Sequence, residues 1–394
     1  MNFVGIDIGG ETHFAAAVNE QGTVTLKARR FEENANGHAA LLACLKPLAP
    51  VACVVLEATG HYWKNLAVAL LANGYPLVVL NPLQSARFQQ ENLTRTKTDG
   101  IDALGLARLA QQKRPQPTRL PDAATEELRE LVRHRDRLVQ DLGDRVRQLH
   151  RLVDLTFPEF TRIVHTLDSR LATTILLAFP SGQAIAAADP GQLAALRYDG
   201  RHAVGPERAG TLIQAAKSTV GAHQGEAYRV QVRHVCQDIE LWRQRLAEID
   251  RDIDGRLQAH EIGRLLTSIE GIGPQTAARL IAELDDPARF HSPGALASYI
   301  GLVPAIRQSG KRCGQRAGLT SIGKARLRRA LWMPTLTAVR RSPWLKAFHD
   351  GLCARGKPPK LAIIAAMRKL TTAVWIVARQ RRPWNPNPTQ EATA

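Results

Sequence analysis

Lys97-Thr98-Asp99-Gly100-Ile101-Asp102 sets two carboxylates three residues apart, just before Ala103-Leu104-Gly105-Leu106-Ala107-Arg108-Leu109-Ala110, a run that reads as helix. Residues at i and i+3 share a helix face, so Asp99 and Asp102 can address one spot. Two carboxylates held together repel unless a cation or a proton lies between them. The local alternative is that Asp99 caps the helix and Asp102 favours its positive end. Two more acids bear on the choice. Asp7 follows the short β-rich run Phe3-Val4-Gly5-Ile6, and Glu57 closes Val51-Ala52-Cys53-Val54-Val55-Leu56. A continuous apolar run of that kind marks a strand buried on both faces.

Working outward, Asn19-Glu20-Gln21-Gly22 is a turn between Phe14–Val18 and Thr23–Phe31, so the chain opens as a three-strand antiparallel meander. Helical spacing follows over Asn36–Leu48 and from about His61 to Ala72, with another buried strand at Pro76–Leu80. Strands first, then alternating strands and helices, predict a mixed α/β sheet flanked by helices. In such sheets, sites form at strand C-terminal ends, where Asp7 and Glu57 stand. Four converging carboxylates are very costly unless they hold Mg²⁺ or Mn²⁺, which favour oxygen ligands. Two such ions roughly 4 Å apart polarise phosphodiester oxygens. Taken singly, Asp7 also fits a solvated strand end, and Glu57 a cap for the next helix.

Beyond this region the pattern is all-α. Asp122 to about Leu155 and Glu226 to about Gln258 are long, charged, amphipathic helices of coiled-coil type, and they suggest an antiparallel pair. Residues 160–225 between them read as a small helical subdomain. Ser268-Ile269-Glu270-Gly271-Ile272-Gly273-Pro274 then opens a helix through Glu283, as in a helix-hairpin-helix. Gly271 and Gly273 would let the backbone approach a phosphate; an ordinary capped turn is the alternative. Ser309 falls in an expected loop beside Arg307, Lys311 and Arg312. A serine before glycine is usually a turn residue, but these cations would also favour its alkoxide and steady a phosphate. A basic helix follows with Lys324, Arg326, Arg328 and Arg329, and Trp332, Trp344 and Trp375 serve as core or, alternatively, as base-stacking groups. Expected boundaries are 1–118, 119–260 and 261–382, with a disordered tail over 383–394.

The 394 residues carry a net charge of +17, and all of it lies at one end. Residues 305–394 hold 19 Lys and Arg against 2 Asp and Glu, whereas the rest is neutral. Such a segment attracts a polyanion, nucleic acid first. No run of 18 apolar residues and no signal peptide is read, which argues against a membrane and for the cytoplasm. The five cysteines show no zinc spacing and read as free thiols.

These residues resemble a known family. Gly5-Ile6-Asp7, Leu56-Glu57-Ala58-Thr59-Gly60, Asn81-Pro82 and Lys97-Thr98-Asp99-Gly100-Ile101-Asp102-Ala103 resemble the DEDD domain of the insertion-sequence 110 transposases, the Piv/MooV-like recombinases. Gly271-Ile272-Gly273-Pro274 through Gly301-Leu302-Val303-Pro304, Ser309-Gly310 and Leu327-Arg328 resemble that family's C-terminal transposase domain. The resemblance implies a RuvC-like, ribonuclease-H-type fold for the first block, with Asp7, Glu57, Asp99 and Asp102 as its metal-binding acids. It also implies a nucleophile at Ser309 that forms a covalent phosphoserine bond with DNA, and strand exchange between donor and target DNA. Guidance by a structured bridge RNA, dimers pairing into tetramers and a site shared between subunits are implied likewise. Ser321, in Leu319-Thr320-Ser321-Ile322-Gly323-Lys324 where many relatives have a Lys, is a second serine to weigh.

Three rivals stand against this. A RuvC-type nuclease using water would leave Ser309 structural. An actin-like sugar kinase would share Gly5-Ile6-Asp7-Ile8-Gly9-Gly10, but it needs a second Asp-x-Gly-x-Gly loop that the sequence lacks. A non-catalytic nucleic-acid-binding protein would tolerate loss of Asp99 and Asp102.

Overall fold

The computed structural model of the chain describes residues 1–91, 98–309 and 312–386; for Gln89, residues 306–309 and residues 312–317 it describes the backbone alone. The chain divides into two compact units, residues 1–120 and 121–394.

In the first unit, β1 (Asn2–Ile8), β2 (Thr12–Asn19), β3 (Val24–Glu32), β4 (Val51–Glu57) and β5 (Leu77–Leu80) form one sheet in the order β3-β2-β1-β4-β5. β1 pairs antiparallel with β2 and parallel with β4, and β5 is parallel to β4. This mixed sheet fits the α/β fold expected. The central strands are apolar on both faces because helices cover both. Val54 and Leu56 pack with Val4, Ile6, Leu41 of α1 (Ala35–Leu45) and Leu66 of α2 (Trp63–Ala72). Val55 and Val78 pack with Phe88 of α3 (Pro82–Glu91) and with Leu106 and Leu109 of α4 (Asp99–Lys113). The far edge of β5 is covered in turn: Thr118 donates its N–H to Leu77 O at 2.7 Å and accepts from Val79 N at 3.0 Å.

The second unit is built on α5 (Ala123–Thr156) and α11 (Glu226–Ala259). Between them lie five short helices: α6 (Phe160–Ile163), α7 (Arg170–Ala178), α8 (Gly182–Ala186), α9 (Pro190–Ala195) and α10 (Pro206–Lys217). The long helices run antiparallel, as the ion pairs Glu127–Arg256, Arg135–Asp250 and Arg145–Asp238 require. One end of the pair packs with the short helices through Leu149, Phe157, Phe160, Leu212 and Val235. The other packs through Leu128, Val132, Ile253 and Leu257 into a core with α12 (Glu261–Leu266), α13 (Pro274–Leu284), α14 (Pro293–Ile300), α15 (Ala325–Arg341), α16 (Pro343–Ala354) and α17 (Pro359–Gln380).

Three expectations change here. The C-terminal region is not wholly helical: β6 (Pro304–Ser309) and β7 (Arg312–Leu319) form an antiparallel pair in which Ser309 faces Arg312, so Ser309 ends a strand instead of lying in a loop. The tail does not begin at 383, since Trp384 rests on Trp344 with ring centroids 5.2 Å apart and donates its backbone N–H to Ser268 Oγ at 2.7 Å; residues 387–394 lie outside the described residues. Finally, α17 is apolar and long enough to cross a membrane, contrary to the sequence reading; here its Ala366, Met367, Leu370, Val374 and Val377 are buried in the core. Among the described residues, Cys44, Cys53, Cys236 and Cys353 are free thiols, as expected.

Candidate active site

Ile6 of β1 pairs with Leu56 of β4, so the next residues, Asp7 and Glu57, are neighbours at the C-terminal ends of two parallel strands. Side-chain alternation places both on the face covered by α3 and α4. Glu57 accepts from Thr59 Oγ1 at 2.9 Å and from Ser85 Oγ of α3 at 2.5 Å. Ser85 is only 3 % exposed, so this donor is held within the fold.

Gly5 brings in the other two acids. A Cβ there would lie 2.2 Å from Ala103 O and 2.3 Å from Ala107 N, so the backbone of α4 rests directly on β1. The helix runs antiparallel to the strand. Its C-terminal end reaches Phe3, over whose ring Arg114 lies at 5.9 Å, and Gln111 reaches Glu20 O at 2.9 Å. At its N-terminal end Gly100 lies against Phe14, the β2 partner of Asp7. The helix therefore starts, with Asp99 and Asp102, at the end of the sheet where Asp7 and Glu57 stand.

The local alternatives fare poorly. Thr98 is the N-cap of α4, its side chain accepting from Ile101 N at 3.3 Å, so Asp99 is not the cap. The N-cap position of α2 is Tyr62, without a side-chain cap, so Glu57 does not cap that helix. Asp7 is half-buried and is not a fully solvated strand end. Sequence reasoning missed Ser85, whose only signal is its position three residues after Pro82. It also missed the rim of the site, where Tyr62 lies 3.5 Å from where a Cβ on Gly10 or Gly60 would sit and its ring lies tilted against that of His61, with centroids 4.4 Å apart.

In the second unit the expected nucleic-acid contacts sort by structure. Lys311 lies outside the described residues, as do the side chains of Arg307, Ser309 and Arg312. Ser321 is exposed between β7 and α15. Lys324, Arg326 and Arg329 are exposed around the start of α15. Arg328 is not available in the same way: it donates to Ile300 O at 2.9 Å and closes the C-terminal end of α14. Gly271 has φ +94°, but a Cβ there would strike Pro334 O of α15 at 2.6 Å, so its open side is taken by protein and not by phosphate. Gly273, the N-cap of α13, has open space around it.

A DEDD transposase model of IS110 type matches residues 4–158, and the model of the Transposase IS116/IS110/IS902 family matches residues 263–350. The chain is 25 % identical over 394 residues to the pilin gene-inverting protein of Moraxella lacunata, covering 97 % of each. It is also 25 % identical to the uncharacterized 42 kDa protein of insertion element IS900 from Mycobacterium paratuberculosis, covering 99 % of this chain and 98 % of that protein. Among solved structures it is similar to T. thermophilus RuvC in complex with a Holliday junction substrate, at 16 % identity, a TM-score of 0.22, and coverage of 29 % of this chain and 96 % of that one.

Proposed function

The chain belongs to the IS110 family of transposases, and we propose that it is a DNA recombinase that moves an insertion element by strand exchange through a phosphoserine intermediate. The observation that carries this is the gathering of Asp7, Glu57, Asp99 and Asp102 at one end of the sheet, with no local capping role left for Asp99 or Glu57. The donors are all carboxylate oxygens, a set that suits Mg²⁺ or Mn²⁺. Such ions, when bound, would neutralise the charge that builds on phosphodiester oxygens. Ser85 holds Glu57 in place for that task, and the docking of α4 on Gly5 holds Asp99 and Asp102.

The Oγ of Ser309 attacks phosphorus. A P–O bond to the Ser309 oxygen forms as a P–O bond to deoxyribose breaks, and the serine proton ends on the departing sugar oxygen. One phosphodiester replaces another, so a second DNA hydroxyl can reverse the step on a new partner without an external energy source. Arg307, Lys311 and Arg312 adjoin Ser309 in sequence and would steady the phosphate. The exposed Lys324, Arg326 and Arg329 would hold the DNA backbone. The same proposal includes donor and target DNA, a bridge RNA and a homodimer pairing into a tetramer in the cytoplasm, supported by the family resemblance and the basic C-terminal segment.

The test uses purified chain with its co-expressed RNA, labelled element-end DNA and Mg²⁺, run on a denaturing gel. A slow covalent protein–DNA band is expected, lost in Ser309→Ala and Asp102→Ala and kept in Ser321→Ala. Cleaved DNA with no covalent band would replace this mechanism with a water-using nuclease. A band that survives Ser309→Ala and vanishes in Ser321→Ala would move the nucleophile.

A further inference from the structure

On the opposite face of the same sheet, three potential ligands meet that play no part in the proposed reaction. His13 of β2 pairs with Ile8 across the strands, and both point toward α1 and α2. Its ring is only 1 % exposed. Glu33 stands between β3 and the N-cap of α1, and His38 lies in the first turn of that helix. One carboxylate oxygen, Glu33 Oε2, lies 2.7 Å from His13 Nε2 and 2.8 Å from His38 Nε2. The other oxygen accepts from Asn65 Nδ2 of α2 at 3.1 Å. His13 Nε2, His38 Nε2 and Glu33 Oε2 all lie within 4.8 Å of one another.

We propose that His13, Glu33 and His38 form a three-ligand zinc site, separate from the acid cluster, that clamps β2 to the start of α1. Two imidazole nitrogens and one carboxylate oxygen are a donor set that suits Zn²⁺ and not Mg²⁺. The three ligands leave a fourth tetrahedral position for water. Ligands at about 2.05 Å from a tetrahedral ion stand about 3.3 Å apart, so each nitrogen must retreat from Glu33 Oε2 by about half an ångström, and the ligand atoms, now within 4.8 Å of one another, must settle to that common spacing. Hydrogen bonds from His13, His38 and Asn65 already hold the Glu33 carboxylate in place. His13 Nδ1 is already buried without a partner, so the metal adds no new unsatisfied atom.

The clamp would tie β2 to the β3–α1 junction, and through Asn65 to α2. His13 precedes Phe14, the partner of Asp7, so the same tie steadies the strand beside the acid cluster. The site stands independently of the proposed reaction.

Chelator-stripped full-length chain titrated with Co²⁺ alone tests this. One equivalent should give the intense visible bands of tetrahedral Co²⁺, displaced by Zn²⁺ and not by excess Mg²⁺. His38→Gln and Glu33→Gln should each weaken binding by more than about 100-fold, beyond the roughly 10–100-fold cost of losing an outer hydrogen-bond partner, while Asp102→Asn should leave it unchanged. Circular dichroism checks that the variants fold. No tetrahedral band in the unmodified chain at one equivalent overturns the proposal, and so does a band that persists in folded His38→Gln or is lost in Asp102→Asn.

Discussion

Gly5→Ala should separate α4 from β1 and disable the acid cluster with one methyl group. The added Cβ would lie 2.2 Å from Ala103 O and 2.3 Å from Ala107 N. Both are backbone atoms, so no rotamer change relieves the clash. Ordinary contact begins at about 3.4 Å, so the helix must move out by at least about 1 Å over its first two turns. Overpacking of this kind costs about 1–3 kcal/mol. For a unit of this size 1 kcal/mol is worth about 3–6 °C in Tm, between the figures for smaller and larger domains, so a fall of about 3–18 °C is expected. The same 1 Å carries Asp99 and Asp102 away from Asp7 and Glu57, and a misplacement of that size can cost about 100-fold in rate. Gly105→Ala is the internal control. It lies on the same helix with nothing within 4 Å of its added Cβ, so it should stabilise by up to about 1 kcal/mol through helix propensity. Thermal unfolding and metal-dependent cleavage of element-end DNA are measured together. If Gly5→Ala melts and cleaves like the unmodified chain, the close docking of α4 is not what assembles the site.

Ser85→Ala removes a donor from Glu57 Oε2, and Mn²⁺ affinity read by calorimetry should drop about 10–100-fold with the melting temperature nearly unchanged. Arg328→Ala should lower stability by about 1.5–3 kcal/mol, since it strips a charged donor from Ile300 O, and leave the salt dependence of DNA binding alone. Arg329→Ala should do the reverse, flattening the slope of log K against log salt by about 0.9; equal slopes for the two variants would show that the sorting of these arginines is wrong. Burial pushes the Glu159 carboxyl up, but hydrogen bonds from Thr219 Oγ1 and Val220 N, with Arg162 nearby, outweigh this and hold it below its ordinary value of 4.5. Its contribution is present above that value and fades as pH falls through the lowered one, so Glu159→Gln should flatten the acid limb of the stability curve.

Long-range order was legible where one periodicity dominates. The meander, the buried strand ending at Glu57 and the two long helices all appear within a few residues of their expected bounds, because apolar spacing sets which face each must bury. What depends on a partner elsewhere in the chain was not legible. Arg328 reads like its basic neighbours until the carbonyl of Ile300 is placed beside it. Gly271 and Gly273 look alike in sequence, yet α15 fills the space of one and leaves the other open. Trp384 reads as part of a proline-rich tail until Trp344 and Ser268 are placed beside it. The β6–β7 pair is a different kind of miss. Pro304, Arg307 and Gln308 in β6 and Gly314 and Gly318 in β7 keep either strand from reading as an apolar run, but only Gly310 and Lys311 separate Ser309 from Arg312 in the sequence, and a two-residue spacing beginning with Gly is a hairpin signal in its own right.

Thr98 and Asp99 put the local and the chemical explanations of one helix start into direct opposition. Thr98 supplies the cap by accepting from Ile101 N, an interaction worth about 1 kcal/mol. Asp99, one residue on and exposed, can stabilise the helix only through its positive end, about 0.3–1 kcal/mol. If local stability were the reason for both side chains, Thr98→Ala should cost more than Asp99→Ala in stability and at least as much in activity. If Asp99 belongs to the metal-binding set, the two orders part. Thr98→Ala should lower the melting temperature more while retaining most of the cleavage. Asp99→Ala should melt almost normally and lose cleavage together with Mn²⁺ affinity. Activity losses that simply track the melting temperatures would return Asp99 to a structural role, and with it would go the main support for four converging acids.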